Sequence, residues 1–132
     1  MKKVKKILLI DDDSIANFVN KHLIKWMQIS EELCVLDNFQ EARQELYCSL
    51  ENLDSQEQQC EMVILLDAQL KDRNELLPSH VLKKLAVDEC NHLLMIVILY
   101  DSLNDPSLQF IVKDSIEKPI TSEKLKQAWS SF

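Results

Sequence analysis

Three runs of this chain are apolar without interruption: KILLI, ending at Ile10, MVILL over 62–66 and LLMIVIL over 93–99. A strand with one wet face alternates apolar and polar residues. Continuous runs are what strands buried on both faces of a parallel sheet look like. Two weaker runs, 33–36 and 115–117, complete a set of five. Between them the apolar spacing is helical. Residues 14–28 place Ile15, Val19, Leu23 and Trp26–Met27 on one side, with Asn20, Lys21 and Lys25 elsewhere. Residues 39–53, 79–90 and 121–131 are spaced in the same way, 105–112 predicts a shorter helix, and Thr121 before Lys124–Leu125 reads as a capped start. Strand followed by helix, five times, implies an α/β sheet with helices on both faces. No repeat or linker interrupts it, so residues 1–132 are expected to form a single domain without an output domain.

Composition narrows the function. Hydrophobic residues make up 46 % of the chain, which predicts a compact domain rather than disorder. No apolar stretch approaches the ~18 residues that span a bilayer. The basic start MKKVKK runs straight into ILLIDDD, without the long apolar segment of a secretion signal, so no membrane association and a cytoplasmic location are expected. A net charge of -7 argues against nucleic acid as a partner. The four cysteines are widely spaced and contain no CxxC pair, which favours reduced thiols over zinc. The three histidines show no metal-binding spacing. Glycine is absent altogether, where average usage of ~7 % would give about nine. A chain without glycine holds neither a P-loop nor a GxGxxG turn, because both bring the backbone closer to phosphate than a Cβ permits.

Chemistry collects at the strand ends. In open parallel sheets, sites form beyond the carboxyl ends of the strands, where strand order reverses. Asp11, Asp12 and Asp13 follow the first strand, and Asp67 the third. Tyr100, Asp101 and Ser102 follow the fourth, and Lys118 and Pro119 the fifth. Several carboxylates would then meet one lysine, an arrangement able to hold a hard divalent cation through oxygen, Mg²⁺ being the usual choice. Asp13 or Ser14 is the expected cap of the following helix.

ILLIDDDS, ILLDAQL, a long apolar strand and EKPIT before the last helix together resemble the receiver domain of two-component response regulators. SIANFVNKHLIK and SLNDP are similar to stand-alone, single-domain receivers. The resemblance implies a flavodoxin-like doubly wound five-stranded parallel sheet, (βα)5, in strand order 2-1-3-4-5. It implies Asp67 as the phosphoacceptor for a histidine kinase or phosphotransfer protein. Asp11, Asp12, Asp67 and the carbonyl of Gln69 would bind Mg²⁺. Lys118 would serve as the catalytic cation, pairing with Asp67 at rest and with the phosphoryl group afterwards, and its bond to Pro119 would be cis. The surface for the kinase or phosphotransfer partner would be the face built from the helix after the fourth strand, the fifth strand and the last helix, where Lys113, Lys124 and Lys126 are too generic to name a partner. A downstream protein partner is implied as well.

Four positions depart from the family pattern. Tyr100 stands where receivers carry a small hydroxyl residue, unless a slip in register offers Ser102. Asp101 replaces a small neutral residue, and its charge would repel an incoming phosphoryl group. Ser115 replaces the switching aromatic three residues before the lysine, and Tyr100 would fill the vacated space. AQLKDRNELLPS replaces the usual Met-Pro…Gly loop after the acceptor. The alternatives are therefore a switching phosphoacceptor and a pseudo-receiver that only binds protein. A third is an enzyme, because Asp11-x-Asp13-Ser14 faintly resembles the start of haloacid-dehalogenase phosphatases. The short chain, ending in KLKQAWSSF, lacks the second acidic cluster those enzymes need. No enzymatic role beyond Mg²⁺-dependent self-phosphorylation and self-dephosphorylation is expected. Trp26–Met27, Trp129 and Phe110 read as packing residues.

Overall fold

The computed structural model describes residues 2–51, 60–70, 94–101 and 114–130. Strands β1 (Val4–Ile10), β2 (Ser30–Leu36), β3 (Met62–Asp67), β4 (Leu94–Tyr100) and β5 (Asp114–Glu117) pair in parallel in the order 2-1-3-4-5. The described helices are α1 (Ser14–Met27), α2 (Phe39–Glu51) and α3 (Ser122–Trp129). The doubly wound order is the one the resemblance implied. The helices expected over 79–90 and 105–112, with Phe110, Ser102 and Lys113, lie outside the described residues.

Burial explains which strands announce themselves in the sequence. β3 has a neighbour on each side and all six of its residues are buried, so it reads as one apolar run. β2 and β5 are edge strands. Only Leu36 of β2 and Ile116 of β5 are fully buried. Accordingly β2 begins at Ser30, three residues before the expected apolar run, with Ser30 in register with Val4 and Glu32 with Lys6. At a sheet edge, polar residues carry no burial penalty and blunt unwanted strand pairing.

The pleat divides the core in two. Leu8, Ile10, Ile64 and Leu66 face α2, meeting Ala42 and Leu46. Ile7, Leu9, Val63 and Leu65 face the other way, against Ile24 of α1 and Leu125, Ala128 and Trp129 of α3. Each described helix starts on a side-chain cap: Asp13 Oδ1 accepts from the N–H of Ile15 and Ala16, Asn38 Oδ1 from Glu41, and Thr121 Oγ1 from Lys124. No helix among the described residues is long and apolar enough to cross a membrane.

α1 corrects the sequence reading. Its buried residues are Asn17, Asn20 and Ile24. Leu23 and Met27 pack half-buried on the sheet as expected. Ile15, Phe18, Val19 and Trp26 instead face solvent, Trp26 with 76 % of its surface exposed. At about 100° per residue, positions 15, 18, 19, 22 and 26 form one stripe opposite 17, 20 and 24. The helix thus has apolar residues on both faces. The inner face packs Ile24, Leu23 and Met27 on the sheet, and its Asn17 side chain donates to the main-chain carbonyl of Asp11 at 2.7 Å. Phe18 and His22 meet on the outer stripe with ring centroids 4.4 Å apart and planes tilted by 43°.

This orientation predicts that Trp26→Lys changes stability by no more than about 0.5 kcal/mol, whereas Ile24→Ala costs about 2–4 kcal/mol. Urea unfolding of the two variants checks it. A large loss from Trp26→Lys would mean that Trp26 is packed and the helix is turned the other way.

Candidate functional site

From β1 the chain turns outward to β2, then returns past β1 to β3. Strand order reverses between β1 and β3, and a crevice opens at their carboxyl ends. Ile10 pairs with Leu66, so the next residues of the two strands, Asp11 and Asp67, stand abreast. The ladder continues one rung further. Asp11 N–H donates to Leu36 O at 3.2 Å, Ala68 N–H to Leu99 O at 2.8 Å and Lys118 N–H to Tyr100 O at 2.7 Å. The site residues therefore sit on backbone held by the sheet rather than on free loops.

Asp11 is fully buried and Asp67 is 4 % exposed. Between them lies the Lys118 ammonium. Nζ donates to Asp67 Oδ1 at 3.1 Å and stands 3.3 Å from Asp11 Oδ2. Asp11 Oδ1 accepts from the N–H of Asp13 at 2.9 Å, and Asp67 Oδ1 also accepts from the N–H of Gln69 at 3.2 Å. Asp11 Oδ2 is buried with no aligned hydrogen bond, so the ion pair with Lys118 is its contact. Asp12 is exposed at the rim.

One oxygen each from Asp11, Asp12 and Asp67 lie within 4.8 Å of one another. Opposite ligands of Mg²⁺ are about 4.2 Å apart, at ~2.1 Å per bond. Hard oxygen donors at nearly that span fit a divalent cation, and Asp11 also carries a buried oxygen without a hydrogen bond. The electrostatics agree. Burial raises the pKa of Asp11, the Asp13 N–H pulls it back, and the charge of Asp67 raises it further. Burial pulls the Lys118 pKa down, but the hydrogen bond to Asp67 and the charges of Asp11 and Asp67 outweigh it, so the ammonium's pKa is raised. Two anions face one cation, which leaves a deficit of positive charge.

The aim of Lys118 is set from outside the pocket. The Lys118–Pro119 bond is cis. From α3, Lys124 Nζ spans the same turn, donating to Glu117 O at 2.8 Å and Pro119 O at 3.0 Å. Lys124 is thus committed to the turn and is not a generic surface charge. Tyr100, at the end of β4, is half-buried and packs on the α2 side of the sheet. Ser115 is exposed on β5 in register with Ile98, and Asp101 is exposed just past β4. Gln69 is exposed beside Asp67. Asp13 caps α1 and takes no place in the carboxylate cluster.

No family model and no curated protein matches this chain. Solved structures do. A two-component response regulator from Cytophaga hutchinsonii is 21 % identical, with a TM-score of 0.65, 98 % of this chain covered and 96 % of that one. A chemotaxis response regulator of Vibrio cholerae is 14 % identical, with a TM-score of 0.61, 98 % of this chain covered and all of that one. This is the receiver-domain fold. The receiver domain of a yeast response regulator (Saccharomyces cerevisiae), solved with its histidine phosphotransfer protein, is 17 % identical, with a TM-score of 0.60, 96 % of this chain covered and 87 % of that one.

Two residues of the site escaped the sequence reading, Asn17 and Lys124. The signal for Asn17 was its place seven residues before Ile24, which puts both on one helix face. Lys124 looked like any helix-surface lysine.

The charge deficit makes two linked predictions. Lys118→Met leaves two buried carboxylates without their cation, and costs the metal-free protein about 2–4 kcal/mol; millimolar Mg²⁺ recovers most of that loss. Because the Asp11 pKa is raised, its contribution to stability is full below its ordinary value of ~3.9 and is lost as pH rises through the raised one. The stabilisation by Mg²⁺ therefore grows from acid toward neutral pH. Thermal melts with Mg²⁺ and with EDTA check both; a loss that Mg²⁺ leaves unchanged would count against a cation in this cluster.

Proposed function

We propose that this chain is a phosphoacceptor of a two-component relay, acting in the cytoplasm. The observation that supports it most is the buried pair Asp11 and Asp67 sharing Lys118 at the point where strand order reverses. In this reading an Asp67 carboxylate oxygen attacks the phosphorus of a phosphohistidine. The O–P bond forms as the P–N bond breaks, and the imidazole leaves with its electron pair and takes up a proton. The product is an aspartyl phosphate, which water later hydrolyses. Asp11, Asp12, Asp67 and the main-chain carbonyl of Gln69 would hold Mg²⁺, which when bound offsets the charge on the transferring oxygens. Lys118 passes from the Asp67 carboxylate to the phosphoryl group, keeping its charge-assisted bond throughout.

The donor is a histidine kinase or phosphotransfer protein, docking beside the acceptor. The outward stripe of α1 supports this: Ile15 and Phe18 lie one to two turns beyond Asp12 and expose apolar area next to the acidic pocket. Spacing of i, i+3, i+4 and i+7 suits a helical partner. Phe18→Glu is expected to slow transfer from any phosphotransfer protein that phosphorylates the chain, and to leave the rate with acetyl phosphate unchanged. Equal slowing with both donors would refute the docking role.

A second reading has two observations in its favour. Tyr100 is packed where a small hydroxyl residue would follow the phosphoryl group, and Ser115 supplies no aromatic to move. In that reading the chain binds a downstream protein without switching.

Intact mass after incubation with acetyl phosphate tests the main reading. With Mg²⁺ the protein gains the mass of one phosphoryl group; with EDTA, or in Asp67→Asn, it does not. No gain together with no detectable Mg²⁺ binding would leave the non-switching module.

A further inference from the structure

Building on that proposed function, we propose that Asn17 is a positioning residue for the acceptor site, fixing the main chain of Asp11 so that its carboxylate stays turned toward Asp67 and Lys118.

Asn17 lies on the inner face of α1 and is 6 % exposed. Its Nδ2 donates to the carbonyl of Asp11 at 2.7 Å, while its Oδ1 is buried and accepts no hydrogen bond. The amide has only one sensible orientation, because the reverse would set oxygen against oxygen. A leucine at this position would match its neighbour Ile24 and leave no unpartnered buried oxygen. A buried amide that bonds with one end only is a poor choice for packing, and its one bond goes to the main chain of a site residue.

The consequence for Asp11 is full restraint. Its N–H is held by Leu36 of β2, its carbonyl by Asn17 of α1 and its Oδ1 by the N–H of Asp13. Only Oδ2 is left facing Lys118. Asn17 N–H also donates to Asp13 O at 3.0 Å, so the acidic triplet and the first turn of α1 are tied at both ends. A cation then meets a carboxylate already aimed, and little rearrangement is needed on binding. Residues that orient metal ligands in this way typically govern metal affinity by ten-fold or more.

The test compares wild type, Asn17→Leu and Ile24→Val by titration with Mg²⁺ alone, by phosphorylation with acetyl phosphate at subsaturating Mg²⁺, and by thermal melting. Asn17→Leu fills the same space without the donor, so its melting temperature stays near that of wild type. Its Mg²⁺ affinity falls about ten-fold, and phosphorylation slows in step. Ile24→Val melts earlier and binds Mg²⁺ as wild type does. Should Asn17→Leu fail to fold, Asn17→Ala carries the same comparison. Mg²⁺ affinity in the Asn17 variants equal to that of wild type would overturn the proposal and leave Asn17 a packing residue. Wild type that neither binds Mg²⁺ nor takes phosphate would instead bring down the reading of the site, and this proposal with it.

Discussion

The ammonium of Lys118, set between two buried carboxylates, is the interaction on which the site depends. Two anionic oxygens within 4.8 Å repel by at least about 3.5 kcal/mol at an effective dielectric of about 20. One lysine neutralises half of that charge. The cluster is therefore stable enough to fold and still short of positive charge, which is the condition for a site that accepts a cation and then a phosphoryl group.

The sheet makes this arrangement possible. Register between β1 and β3 brings Asp11 and Asp67 side by side, and the same register carried through β4 and β5 delivers Lys118. None of the three side chains relies on a free loop. Around them sit fixed supports: Leu36, Asp13 and Asn17 for Asp11, Gln69 for Asp67, and Lys124 and Tyr100 for the turn that carries Lys118. The carboxylate side of the site is thus well braced, whereas the end of β4 carries a half-buried tyrosine packed on the α2 side of the sheet.

Much of this was legible in the sequence because central strands leave an unambiguous mark. β3, buried on both faces, can only be apolar, and the acids that end it and β1 stand out against it. Edge strands leave a weaker mark: Ser30–Glu32 carry no burial pattern, so the start of β2 depends on its pairing with β1. α1 was misread for a different reason. Both of its faces carry apolar side chains, and periodicity chose the richer one, with Ile15, Val19 and Trp26. The inner face holds two buried asparagines beside Ile24, and the hydrogen bond from Asn17 to a main-chain carbonyl six residues earlier is something no hydropathy pattern registers. The outer stripe that results stays exposed instead of joining the core.

The most direct measurement of the central claim is to locate the phosphate. After incubation with Mg²⁺ and acetyl phosphate, borohydride reduces an aspartyl phosphate to homoserine, and peptide mass mapping reads its position. Reduction is expected at Asp67 alone, and is lost when Mg²⁺ is removed. Label at Asp11, as in a phosphatase that uses the first acid as nucleophile, or label that persists in EDTA, would contradict it.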